Sequence, residues 1–184
     1  LNKMIILASQ SPRRQELLKY ITTEFEIRVS EVDEALPDGI SPSDAVLYLS
    51  NIKAQPFANG DDIVIGADTV VALDGKILGK PKTTEEAKQM LRFLSGREHS
   101  VFTGVTIANA EKSTSFAVET RVKFFDLTDD EIERYIATGE PMDKAGAYGI
   151  QGYGSLLVES ITGDYFNVVG LPISTLARKL IKFS

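Results

Sequence analysis

The sequence predicts an α/β fold in which a mixed, twisted sheet is flanked by helices. Three observations predict it. Strand-like runs and runs with helical apolar spacing follow one another along the chain, without the strict β-α-β alternation of an all-parallel sheet. Side chains suited to helix caps stand before the helical runs, at Ser11, Ser41 or Ser43, Thr83 and Thr128. The 184 residues, 43% of them hydrophobic, suffice for one sizeable core. Residues 1–184 are therefore read as a single domain, compatible with two lobes that share a sheet. They show no internal repeat, low-complexity tract or linker-like boundary.

Met4 to Ala8 reads as the first strand, followed by a helix with Ser11 at its N-cap, Pro12 at its first position and Leu17, Leu18 and Ile21 at helical spacing. "EFEIRVS" is a second strand, and "SPSDAVLYLSNIKAQ" a helix that Pro56 ends or kinks. "DIVIGADTVVAL" is a strand that turns at Asp74-Gly75 into "KILGK". Thr83 and Glu86 make a capping box for a helix carrying Ala87, Met90, Leu91 and Leu94, which Gly96 stops. Residues 99–108 and 115–127 read as long β segments, and Thr128 caps "DDEIERYIATG". The glycine-rich "KAGAYGIQGYG" then precedes two expected short strands and a last helix over residues 174–182.

Composition excludes several classes of function. No segment approaches the ~20 apolar residues of a membrane span, and the N-terminal apolar run is too short for a signal-peptide core. The expectation is a soluble cytoplasmic protein with no membrane partner. With no cysteine, disulfides, thiolate metal sites and cysteine nucleophiles drop out. A net charge of -6 speaks against a nucleic-acid polymer as partner, though not against a local basic pocket for a small anion. The one histidine, His99, lies at a strand start with no G-x-S-x-G elbow to supply a serine partner, and reads as an ordinary strand-edge residue.

The remaining chemistry rests on carboxylates, lysines and arginines. In "ASQSPRRQELL", the cap explains Ser11 and Pro12 but not Arg13 and Arg14, because cations at a helix N-terminus oppose the macrodipole. An anion held between backbone N–H groups and guanidinium forks would reverse that penalty. Asp68 interrupts the strand run Ile63 to Leu73, where a carboxylate must be paired, hydrogen-bonded or metal-bound; the alternative is a structural ion pair or a turn at Gly66-Ala67. Lys53 and Lys80 would each, alone, be solvated surface lysines. Glu31, Asp33 and Glu34 offer oxygen ligands to a hard cation such as Mg²⁺. "KAGAYGIQGYG" fits neither the dinucleotide fingerprint nor a P-loop. It offers close backbone approach, with the Gln151 amide, at once donor and acceptor, suited to a base edge; a tightly turned loop is the plain alternative.

Together, "LASQSPRRQELL", "GADTVV", "GKPKTTEEAKQMLRFLSG" and "DKAGAYGIQGYG…GDYFNVVGLPIS" resemble, in order from about Ile5 to Lys182, the Maf family of nucleoside triphosphate pyrophosphatases, also called septum formation inhibitors. The resemblance implies an α/β fold of two lobes with a nucleotide cleft between them, related to the inosine triphosphatase fold. It implies hydrolysis of a nucleoside triphosphate to the monophosphate and pyrophosphate, with Mg²⁺ or Mn²⁺. By the family's motifs Asp68 matches the proton acceptor. Ser9, Arg14, Lys53 and Lys80 match polar or cationic pocket positions. Glu34 matches an acidic one that, with Asp68, would hold the metal. Arg13, Thr69 and Gln151 resemble the branch acting on dTTP and UTP; the 7-methyl-GTP branch carries Trp, Gln and Glu there. Pro56 departs from the commoner continuation after Lys53. A role in nucleotide-pool housekeeping and division arrest is the wider expectation, a homodimer is left open, and the alternative is a non-catalytic nucleotide-binding regulator of septum formation.

Overall fold

A computed structural model of the chain describes residues 3–184, so Leu1 and Asn2 lie outside the described residues. In chain order the elements are β1 (Ile5–Ala8), α1 (Pro12–Leu18), β2 (Phe25–Ile27), α2 (Pro42–Ala54), β3 (Ile63–Leu73), β4 (Lys76–Leu78), α3 (Thr84–Leu94), β5 (Glu98–Ala108), β6 (Ser113–Phe124), α4 (Asp129–Ala137), β7 (Val158–Thr162), α5 (Tyr165–Val169) and α6 (Ile173–Phe183). Short 3-10 turns fill residues 55–57 and much of 140–157. The strands form a seven-stranded sheet in the order β2-β1-β3-β5-β6-β7, with β4 paired to β3. It is mixed, as expected: β1 runs parallel to β2 and β3, whereas β3–β4 and β6–β7 are antiparallel. No helix among the described residues is long and apolar enough to cross a membrane.

The chain divides into two compact units. The first comprises the chain up to Thr69 with Thr103–Val118 and Gly170–Ser184. Its core gathers Ile6, Ala8, Val64 and Ala54, with Phe57 and Ala58 against them. Ser50 of α2 is fully buried and bonds Thr106 of β5 at 2.8 Å, and Thr106 bonds Ser115 of β6 at 2.7 Å. In α6, Leu176, Leu180 and Phe183 recur at helical spacing and are buried, as the sequence pattern requires.

The second unit comprises Val70–Phe102 and Glu119–Val169. Its core joins the buried stripe of α3, Ala87, Met90, Leu91 and Leu94, to Ile132 and Tyr135 of α4 and to Val71, Val101, Val122 and Phe124 of the strands. Thr83 caps α3 by accepting the Glu86 N–H at 3.1 Å, while Glu86 reaches back to the Lys82 N–H, one residue before the cap. One expectation fails here. Of the two short strands expected after the glycine-rich stretch, β7 forms but residues 165–169 are helical. Asp164 Oδ1 accepts the N–H groups of Phe166 and Asn167 at 2.8 and 3.2 Å. That cap outweighs the β-propensity of Tyr165, Phe166 and Val168.

His99 sits at the start of β5 but in the core, 2% exposed, rather than at an open edge. Its ring meets Phe124 and Tyr148 edge-on at 5.1 and 5.3 Å, and Nε2 lies 2.6 Å from the Tyr148 hydroxyl. Nδ1 is buried without a partner. Burial disfavours the imidazolium and lowers the His99 pKa to about 4. The folded value lies below the unfolded one, so the neutral ring's stability is fully present above about pH 6.5 and is lost as pH falls towards 4, on the order of 3 kcal/mol in all. Because the chain has one histidine, its ring protons can be followed by NMR without assignment. A midpoint near 4 is expected, and one near 6.5 would place the ring in water.

Candidate functional site

The loop after β1 is built by its own hydroxyls. Ser9, 8% exposed, accepts the Ser11 N–H at 3.2 Å, and Ser11 caps α1 by accepting the Arg14 N–H at 3.4 Å. Pro12 opens the helix, and no acidic residue stands in the first turn. Arg13 and Arg14 thus occupy the turn where the macrodipole disfavours them. Arg14 folds inward. Its Nε donates to the Gly170 carbonyl at 2.8 Å, Nη1 to Ser9 Oγ at 3.4 Å and Nη2 to Thr69 Oγ1 at 2.9 Å. Thr69 in turn shares a 2.8 Å bond with Thr103. Burial lowers the Arg14 pKa, the Asp68 carboxylate opposes that, Arg13 adds to it and Glu34 opposes it. A guanidinium is not deprotonated in proteins, so Arg14 stays a cation. Each terminal nitrogen carries a second N–H for another acceptor.

Beside this lies an ion-pair triad. Strand β3 runs unbroken through Gly66, Ala67 and Asp68, so the turn considered there does not form. Helix α2 ends at Ala54, and the 3-10 turn containing Pro56 follows; Lys53 stands in the last helical turn, where the macrodipole favours a cation. Two glycines let α2 approach the sheet. A Cβ on Gly66 would stand 2.4 Å from the Ser50 carbonyl oxygen, and one on Gly104 would stand 2.1 Å from that of Val46. The lysine reaches both acids: Nζ is 2.5 Å from Asp68 Oδ1 and 2.8 Å from Glu34 Oε1. The Asp68 side chain is only 15% exposed, against 55% for Glu34.

Of the acidic loop, Glu34 is the member that pairs with Lys53, whereas Asp33 accepts the N–H of Ala35 within its own loop. Among the described residues no group of three or more His, Cys, Asp or Glu side chains converges on a metal position. The expected cluster of Glu31, Asp33 and Glu34 is therefore not a ready cation cage. What exists is a pair of carboxylates, Asp68 and Glu34, drawn to one ammonium.

Lys80 and Gln151 belong to the second unit, and both are exposed. Lys80 follows β4, and the buried Pro81 anchors the chain behind it. The glycine-rich run is tightly turned: Gly146 and Ala147 both have positive φ, 70° and 63°, and the Gly146 N–H donates to the Gly79 carbonyl at 3.1 Å. A Cβ on Gly146 would stand 2.7 Å from Val71. The Lys80 segment and the Gln151 loop are thereby tied together within this unit.

The structure brings Ser9, Arg14, Lys53, Asp68, Thr69 and Glu34 into one bonded or electrostatically coupled set, with Arg13 beside it. Sequence reasoning missed Thr103 and the Gly170 carbonyl, which act only through tertiary contact and leave no local signal. It read Gly66 only as part of a turn alternative and passed over Gly104, although a glycine inside a strand is a sign of close backbone approach.

Known proteins match this chain over nearly its whole length. The family model described as Maf-like protein matches residues 4–183. The chain is 53% identical over 183 residues to a "dTTP/UTP pyrophosphatase" of Bacillus cereus strain G9842, covering 98% of this chain and 96% of that protein. It is 54% identical over 184 residues to the protein of the same name from strain ATCC 10987, covering 99% and 91%. Among solved structures, the Ham1 protein of Staphylococcus aureus matches with a TM-score of 0.56 at 16% identity, covering 99% of this chain and all of that one. A HAM1 protein from Coxiella burnetii matches at 0.54 and 13%, covering 98% of this chain and 100% of its own. These two share the fold.

The close approach of α2 has a measurable consequence. Gly66→Ala must push backbone against backbone, with an expected loss of about 1–3 kcal/mol in urea unfolding. Gly60→Ala, with nothing within 4 Å of its Cβ, should stay within about 0.5 kcal/mol of the parent. Equal effects of the two would remove the contact as the reason α2 and its lysine sit where they do.

Proposed function

The chain belongs to the Maf family, and on that premise we propose that it hydrolyses dTTP and UTP to the monophosphate and pyrophosphate. The observation that carries the chemistry is Asp68, a largely shielded carboxylate fixed on a rigid strand by Lys53 and beside the Arg14 guanidinium. A pure nucleotide binder gains nothing from a carboxylate next to a polyanion unless a metal intervenes, whereas a hydrolase needs one to direct water.

Lys53 binds Oδ1 of Asp68, which leaves Oδ2 to accept a proton from water aimed at the α-phosphorus. The attack is in line, and the β- and γ-phosphates depart together as pyrophosphate. Arg13, Arg14, Lys53 and Lys80 hold phosphate oxygens. Arg14 does so from a guanidinium already fixed on three acceptors, so little reorganisation is needed as charge develops. Ser9 and Thr69 accept from Arg14, and the remaining hydroxyl proton of Ser9 can be donated to a substrate oxygen. Gln151 reads the base: its amide accepts from N3–H of uracil or thymine and donates to a neighbouring carbonyl, a pattern that cytosine reverses.

The donor set also fits a hard divalent cation, Mg²⁺ or Mn²⁺. Asp68 and Glu34 are oxygen ligands already converging on one positive group, and such ions are commonly held by one or two carboxylates together with substrate phosphates. When bound, the ion would supply charge to offset the triphosphate and the leaving pyrophosphate.

Two outcomes are expected. UTP incubated with the protein and Mg²⁺ should give UMP and pyrophosphate as first products by anion-exchange chromatography, and EDTA should stop the reaction; UDP with orthophosphate would overturn the assignment. Asp68→Asn should lower kcat at least ~10²-fold while substrate affinity is kept or improved, since a charge facing the phosphates disappears. Near-parental turnover in that variant would move the base elsewhere, with Glu34 the next candidate.

A further inference from the structure

We infer that Tyr135 and Glu140 are positioning residues for base selection, forming a clamp that sets where Gln151 stands; the inference rests on the reading of Gln151 given above. Tyr135, in the last turn of α4, is 4% exposed. Its hydroxyl donates to Glu140 Oε1 at 2.8 Å and accepts the Gly149 N–H at 3.1 Å. Glu140 Oε1 also accepts the Gly154 N–H at 3.0 Å, and Oε2 accepts the Tyr153 N–H at 3.0 Å. One carboxylate and one phenol therefore hold three backbone amides, at 149, 153 and 154, on both sides of Gln151. Burial and the adjacent Glu140 raise the Tyr135 pKa well above its ordinary value, so the phenol remains the donor in this chain of bonds.

The glycines of the run make the clamp sterically possible. A Cβ on Gly154 would stand 1.9 Å from the Gly149 carbonyl oxygen, so the two ends of the loop touch. A Cβ on Gly152, whose φ is +66°, would stand 2.7 Å from Glu140 Oε2. Behind Gly149 lie the methylene carbons of Lys144, whose ammonium donates to the Glu140 carbonyl at 2.9 Å. Gln151 sits at the tip with extended backbone, φ -92° and ψ 168°, and an exposed side chain. An amide on a free glycine loop could turn to suit either pyrimidine, whereas one on a loop stitched at both ends presents one face. Charge-assisted bonds from a carboxylate to backbone N–H groups are about twice as strong as neutral ones, which suits them to this task.

The test uses the full chain, with Tyr135→Phe, Glu140→Gln, Gln151→Ala and the double variant Tyr135→Phe/Gln151→Ala. Two readouts are taken: kcat/KM for UTP and CTP, and hydrogen exchange of the amides of Gly149, Tyr153 and Gly154. Tyr135→Phe or Glu140→Gln should quicken exchange at those amides and narrow the UTP-to-CTP ratio at least about threefold, chiefly through KM. Added to Gln151→Ala, Tyr135→Phe should narrow the ratio no further, because both act through one amide. If Tyr135→Phe does not fold, Glu140→Gln, which keeps the shape, carries the same comparison. Faster exchange with an unchanged ratio, while Gln151→Ala narrows it, would overturn the positioning role alone. An unchanged ratio in Gln151→Ala would overturn the base-reading role and the positioning role with it, so the ratio in that variant tells the two failures apart.

Discussion

Two missing side chains govern the first unit. Where Gly66 and Gly104 stand on neighbouring strands, α2 lies directly against the sheet, with its carbonyl groups in the space that Cβ atoms would fill. The buried Ser50 hydroxyl, bonded to Thr106, fixes the helix along the strands. At this separation a lysine in the last turn of α2 reaches a carboxylate two residues beyond Gly66. A helix held farther out would leave Asp68 without its cation, and a poorly paired buried carboxylate is costly. The carboxylate proposed as the base thus stands on a strand and its lysine partner on a helix, so their placement comes from backbone elements rather than from a loop.

Charge is arranged on the same scale. The molecule as a whole is acidic, yet Arg13, Arg14 and Lys53 lie around Asp68 and Glu34 with one positive charge left over. The first turn of α1 has no acidic residue to neutralise the helix end, so the backbone amides and the arginines act with the same sign. That is a poor arrangement for a bare helix and a good one for a polyanion. Because Arg14 is tethered to Ser9, Thr69 and Gly170, its charge is held in place by the protein alone.

What was legible in the sequence was local. Ser11 with Pro12, Thr83 with Glu86 and Thr128 each mark a helix start by chemistry within a few residues, and each cap is formed. Asp68 was legible as an anomaly, a carboxylate in an apolar strand. The resemblance to the Maf family, position by position, pointed to Lys53, Glu34 and Lys80, which as single residues would read as ordinary surface charges. Other features were not legible because they depend on residues far apart. Thr103 meets Thr69 across 34 positions, and the Tyr148 that shields His99 lies 49 positions away. The second short strand expected after the glycine-rich run failed in the other direction, since the Asp164 cap makes a helix of residues whose propensities favour a strand.

The bond from Arg14 to the Gly170 carbonyl spans 156 positions of sequence. The first unit is gathered from three stretches, the last of which starts at Gly170. At a synthesis rate of about 5–20 residues per second, Arg14 leaves the ribosome roughly eight to thirty seconds before its acceptor does. During that interval β1, α1 and α2 can form, but the guanidinium lacks one of its three anchors. Contacts so distant in sequence also slow folding after release, because their loop-closure entropy must be met before they contribute. The guanidinium therefore reaches its full set of anchors late, once the stretch from Gly170 onward has been made.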